Sequence, residues 1–257
     1  LHAFVTAPAP GGGATVVRCF IERTRSGAHA LFPLYKLYAD HEDGTGRLLL
    51  AARKVPAASP YYAISTAASD AAWNSTSEHY LGKLRAAPAA AAAPREYVLY
   101  DAGGRADDAR RRALRRELAA VVFGGPARRF EVALPRARWR ARGPDEGRDA
   151  EALDPGVATN VLDADSVYVA HARTSKYDPL SSCLVDFRAR AAVASVKNFQ
   201  LGRGLADDDA ALPVVLQMGK VGKDCFNMDY TFPFSMLQAF AVCLARFDTG
   251  VPLATTR

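Results

Sequence analysis

Apolar positions along this chain fall into two regimes. Up to about Gln217 they come in short runs rich in β-branched and aromatic residues, broken by polar turns bearing Gly, Pro, Asp or Asn. Near the C-terminus they fuse into one run, Phe232 to Phe247, whose only clearly polar members are Ser235, Gln238 and Arg246. A helix with no polar face is buried on all sides. The run is shorter than the ~20 apolar residues a bilayer crossing takes, and Arg246 interrupts its end, so it reads as a core helix. Pro233 is expected in its first turn, where a missing N–H costs nothing, and Gly250 and Pro252 lie past its end. Phe240, Leu237, Leu244, Val242 and Phe247 should be nearly inaccessible.

The short runs predict strands at Thr15 to Ile21, Leu31 to Ala39, Arg47 to Ala52, Tyr61 to Ser65, Tyr97 to Tyr100, Val121 to Phe123, Phe130 to Leu134 and Val167 to Ala170. Cys183 to Phe187, Ala192 to Val196 and Val214 to Gln217 complete the set. Leu31 to Ala39 and Arg47 to Ala52, joined by a Gly-rich polar turn, read as a hairpin. Ala106 to Ala120 reads as an amphipathic helix, its arginines forming either a solvated face or a contact for phosphates. Ala86 to Pro94 and Pro135 to Pro155 read as loop insertions, and residues 1–14, with Gly11 to Gly13, as a flexible leader. Strands throughout with one all-apolar helix last implies a closed antiparallel β-barrel holding the helix in its bore, a mainly β fold and a single domain over 1–257; closure also removes exposed sheet edges. The sequence opens at Leu1 rather than Met, and an upstream segment is expected.

Composition changes this picture little. The 257 residues are 49% hydrophobic and 23% charged, ordinary for a globular domain. The formal net charge of +6 fits an acidic partner, nucleic acid or anionic lipid, or simply good solubility, and charge alone does not choose among them. Cys19, Cys183, Cys225 and Cys243 share no metal-ligand spacing and read as free core thiols of a reducing compartment. The five histidines are scattered and no nucleophile motif is present, so no catalytic residue, metal site or cofactor is expected. Asp207 to Asp209 lacks the ordered oxygen ligands that would make it a calcium loop.

Several blocks, in order along the chain, carry a family likeness. Leu49-Leu50-Ala51-Ala52-Arg53-Lys54, Leu81-Gly82-Lys83-Leu84-Arg85 and Arg116-Glu117-Leu118-Ala119-Ala120-Val121 come first. Ala194-Ser195-Val196-Lys197-Asn198-Phe199-Gln200, preceded by Phe187 and Arg190, then Val215 to Val221, Asp224, Phe226 and Met228 to Tyr230, and Leu237-Gln238-Ala239-Phe240-Ala241 follow. Together they resemble the C-terminal domain of the tubby and tubby-like proteins, from about Val17 to Ala254.

The resemblance implies a barrel of roughly a dozen strands threaded by the C-terminal helix. It also implies a non-enzymatic role: binding phosphatidylinositol 4,5-bisphosphate and tethering membrane lipid to cargo or transport proteins, in trafficking of membrane proteins to the cilium or flagellum. Transcription regulation in the nucleus is a further family association. The protein is then expected to be a cytoplasmic monomer, peripheral at the inner face of the plasma membrane. Carried over residue by residue, the headgroup contacts are Arg53, Lys54, Lys83 and Arg85. A headgroup with two phosphates needs several such cations converging from neighbouring strands. Where relatives continue the basic run after Lys54, this chain reads Val55-Pro56-Ala57-Ala58-Ser59, which removes the later cations. A protein-interaction scaffold without lipid binding and a DNA-associated regulator therefore stay open. Lys83 and Arg85 could equally be ion-paired strand residues; Lys197 reads as a local hydrogen-bond or ion-pair contact fixing strand register, and Asn198 and Gln217 as buried hydrogen-bonding residues.

Overall fold

The computed structural model describes residues 1–11, 15–40, 46–56, 61–87, 94–104, 115–124, 129–135, 167–173, 187–203 and 213–249. Among these, twelve antiparallel strands close into a barrel: β1 (Val17–Thr24), β2 (Leu34–Ala39), β3 (Leu48–Val55), β4 (Tyr61–Ser65), β5 (Tyr80–Ala86), β6 (Arg95–Asp101), β7 (Glu117–Gly124), β8 (Arg129–Pro135), β9 (Val167–Ala172), β10 (Phe199–Arg203), β11 (Val214–Gly222) and β12 (Cys225–Tyr230). Each strand pairs with its neighbour in sequence, and β12 returns to pair with β1, so no long edge is left open. The hairpin expected between the second and third strands is present.

Among the described residues the α-helices are α1 (His2–Thr6) and α2 (Met236–Asp248). In α2, every residue from Met236 to Phe247 except Gln238 is buried, and Phe240, Val242, Cys243 and Leu244 expose nothing. Inward-facing residues of the strands meet it, alternating with outward ones as the pleat requires. β7 shows the rule: Ala119, Val121 and Phe123 join the core while the residues between them stay half-exposed. An all-apolar helix thus finds apolar partners in every direction. No helix among the described residues is long and apolar enough to cross a membrane.

Polar side chains fix both ends of α2. Ser235 accepts from the Gln238 backbone N–H, and the Gln238 side chain accepts from that of Ser235, a reciprocal cap that satisfies two otherwise orphaned donors. Helix formation therefore begins after Ser235, and Pro233 lies ahead of the helix instead of in its first turn. At the other end Lys197 Nζ donates to the carbonyls of Arg246, Phe247 and Thr249, at 3.0, 3.2 and 2.8 Å. Lys197 is expected to fix strand register locally; instead it caps the distant C-terminal end of α2, where cationic donors meet free carbonyls and the negative end of the helix dipole.

Four expectations are corrected. Residues 117–120 belong to β7, because pairing with β6 and β8 and the alternation Ala119, Val121, Phe123 override the helix propensity of an Ala-, Leu- and Arg-rich stretch; positions 106–114 lie outside the described residues. Ala192 to Val196 is irregular: both Ala192 and Val193 donate to the Lys220 carbonyl, and Val196 is largely exposed. Phe187 likewise begins an irregular strap, and 183–186 are outside the described residues. The expected leader contains α1, which packs on α2 with Val5 fully buried, and Ala9 donates to the Phe234 carbonyl. Three strands, β5, β10 and β12, are absent from the pattern-based set. Of the two expected loop insertions, Ala86 closes β5, Pro135 closes β8, and 88–93 and 136–155 lie outside the described residues. Cys19 and Cys243 are buried free thiols and Cys225 a half-buried one; Cys183 falls outside the described residues.

Candidate anion-binding face

The register of β3, β4 and β5 decides what each expected site residue can reach. Arg53 pairs with Ala63, and Ala63 with Lys83, so Arg53 and Lys83 lie in one row across three strands. Val55 pairs with Tyr61 and Tyr61 with Arg85, forming the next row. Paired residues of antiparallel strands share a face, and residues two apart do as well. Arg53, Lys83 and Arg85 therefore all stand on the outer wall, around a small apolar cluster of Leu34, Ala51, Ala63, Trp73 and Tyr80. With strands about 4.8 Å apart, Arg53 and Lys83 are separated by about 10 Å.

Aromatic rings support these cations. The Arg53 guanidinium lies 5.2 Å from the Trp73 ring centroid, and Lys83 Nζ 5.4 Å from that of Tyr61. Cation–π contacts hold a charge at a surface without neutralising it. Arg53 also meets Asp70 at 3.2 Å, but the Asp70 carboxylate is 98% exposed, and a pair so open to water contributes little.

Lys54 goes elsewhere. It pairs with Tyr62, whose ring belongs to the core, and so turns into the mouth of the barrel, where it forms an ion pair with Asp248 at the end of α2. Tyr62 and Tyr97 donate to the same carboxylate at 2.9 and 3.0 Å. Burial alone would push the Asp248 carboxyl up, but Lys54 and the two phenols outweigh it and hold that group below the usual carboxylate range. Burial and the Asp248 charge push the Tyr62 phenol far up, so it remains a donor. The structure thus gathers three of the four expected residues on one face and assigns the fourth to closing the barrel.

Sequence reasoning placed Arg115 on a helix. Instead it immediately precedes β7, its guanidinium 4.2 Å from the centroid of Tyr100. Tyr100 is the cross-strand partner of Lys83. Burial and Glu117 raise the Tyr100 phenol, while Arg115 and Arg85 pull it back. Arg53, Lys83, Arg85 and Arg115 thus span the outer wall from β3 to the entry of β7, where Asp70 meets Arg53. The available signal for Arg115 was the two-residue alternation that follows it.

A second polar group ties the strap to the barrel. Arg190 donates to both Asp229 oxygens and, at 2.7 Å, to Asp40. Gln217 donates to Asp229 at 2.8 Å and accepts from Gln200 at 2.9 Å, and Asn198 bridges the Val193 carbonyl and the Lys220 N–H. These residues bond one another and explain the strap's shape. Among the described residues no group of His, Cys, Asp or Glu is placed to hold a metal ion.

The Tub family model matches residues 5–249, which takes in the barrel, the strap and the central helix. The chain belongs to the Tub family. It is 31% identical over 96% of its length to human Tubby-related protein 2, 30% identical over 97% to mouse Tubby-related protein 3, and 31% identical over 96% to Protein king tubby 1 of Aedes aegypti. The matched region covers 48%, 54% and 59% of those proteins, so this chain spans about half the length of such relatives.

Proposed function

We infer that this Tub domain is a phosphoinositide-binding tether that takes phosphatidylinositol 4,5-bisphosphate, or a related anionic headgroup, on the outer wall formed by β3 to β6. The observation that carries this reading is the convergence of Arg53, Lys83 and Arg85 from neighbouring strands, extended by Arg115. Lysine supplies a point charge able to bridge two phosphates, and arginine a planar fork that grips one. The tether would hold a cargo or transport protein at the inner face of the plasma membrane or the cilium, as a peripheral monomer. Loss of the basic run after Lys54, and the turning of Lys54 into the barrel, leave the later cations on β5 and before β7 to set affinity and headgroup preference.

Co-sedimentation with vesicles of matched negative charge tests the reading, one set containing phosphatidylinositol 4,5-bisphosphate and the other only phosphatidylserine. Wild type should prefer the phosphoinositide set, and Lys83→Ala/Arg85→Ala should lose ten-fold or more, since each charge-assisted contact contributes ~1.5–3 kcal/mol. Equal binding to both sets, or an undiminished double variant, would overturn it. Binding to neither set would favour the scaffold; DNA binding with a steep salt slope would favour the nucleic-acid reading.

A further inference from the structure

We propose that Leu31 and Phe32 form an apolar wedge that enters the lipid bilayer beside the headgroup-binding wall, an inference that rests on the phosphoinositide reading above. Leu31 is 84% exposed and Phe32 37%. Single exposed apolar residues are ordinary, but these two are consecutive and sit at the rim of a basic face. They lie just ahead of Leu34, the first residue of β2, which pairs with Arg53. At this end of the barrel the adjoining strands present Val55, Tyr61 and Arg85. Leu34 is buried in the outer-wall cluster, Pro33 before it is half-buried, and Leu31 and Phe32 are exposed.

The segment is structured. A 3-10 turn over Gly27–His29 precedes the pair, with His29 and Ala30 donating to the carbonyls of Ser26 and Gly27. Gly27, at φ +55°, takes the left-handed conformation that bends the chain there. The turn thus leads the pair into β2, whose first residue is paired with Arg53.

The occupant follows from charge. A bilayer with anionic headgroups offers phosphates to Arg53, Lys83 and Arg85 and hydrocarbon a few ångströms deeper, the layering that an apolar tip beside a cationic wall complements. Electrostatic attraction and a small apolar insertion are each marginal, and together they give stable, reversible anchoring.

Two variants of the full chain test this. In Leu31→Trp, the reporter indole should shift its emission to the blue on vesicles containing phosphatidylinositol 4,5-bisphosphate and be quenched by lipids brominated on the acyl chains. In Leu31→Ser/Phe32→Ser, vesicle affinity should fall about ten-fold, while affinity for soluble inositol 1,4,5-trisphosphate and the thermal midpoint stay at wild-type values. An unquenched indole together with wild-type vesicle binding by the double variant would overturn the wedge and leave the headgroup site standing. A wild type that binds neither inositol trisphosphate nor vesicles would overturn both.

Discussion

Lys54 and Asp248 show how one residue's environment decides between two readings of the same charge. In the sequence, Lys54 is the second member of an Arg-Lys pair; in the barrel, the pleat sends it to the opposite face from Arg53, onto Asp248. Removing one partner of a buried ion pair costs roughly 3–5 kcal/mol. With Lys54 28% and Asp248 18% exposed, Asp248→Asn should cost about 2 kcal/mol in urea denaturation. The folded carboxyl lies below its unfolded value, so its contribution is fully present above the ordinary carboxylate range and lost as pH falls through the folded value. The acid limb of the wild-type stability curve should therefore be steeper than that of the variant. Superimposable acid limbs would show that Asp248 does not carry this coupling. Lys197, pulled down to about 8 by burial, Arg246 and Arg23, is committed to the helix carbonyls just as Lys54 is committed to Asp248.

Among the elements, β5 does the most for the candidate site, and a glycine sets its geometry. The β4–β5 register shifts at Ile64/Ser65, so Leu81 and Gly82 both face inward before Lys83 and Arg85 resume the outer wall. Gly82 has φ +155°, and a Cβ there would lie 2.0 Å from the Tyr100 carbonyl oxygen of β6. Gly82→Ala would force β5 away from β6, at a cost of about 1–3 kcal/mol, and would move Lys83 off its Tyr100 partner. Lower denaturation midpoint and weaker phosphoinositide-vesicle binding are the expected pair of results; unchanged binding in a destabilised variant would separate Lys83 from the site. The strap from Phe187 to Asn198 is the counter-example. Its β-branched and alanine residues mimic a strand, yet Arg188 and Ala189 at positive φ and the Arg190 bridge to Asp229 and Asp40 bend it across the barrel wall. The alternation that follows Arg115 was legible as β7 only against the strong helix propensity of the same residues.

For the whole molecule, the barrel and its helix are one core. Phe240 exposes nothing and sits where strand and helix side chains meet, so Phe240→Ala should cost ~3–5 kcal/mol. A loss below ~1 kcal/mol on chemical denaturation would argue that the helix is not the filler of the bore. By itself the sequence determined the mainly β character, the place of the helix after the strands, and the burial of that helix. These follow from local pattern: short apolar runs can form only short strands, and a segment apolar on every side can be stable only when enclosed. The candidate cations Arg53, Lys54, Lys83 and Arg85 are what the resemblance of their blocks to the family implies, since the apolar pattern by itself leaves β5 unmarked. Tertiary structure alone decided which face of the wall each cation occupies, because a one-residue change of register exchanges inside for outside. It decided as well that Arg115 lies beside Tyr100, that Lys54 and Lys197 hold the end of α2, and that Leu31 and Phe32 lead into the strand whose first residue pairs with Arg53. The Lys54 and Lys197 contacts join residues far apart in sequence, and only the seating of the helix in the barrel brings them within reach.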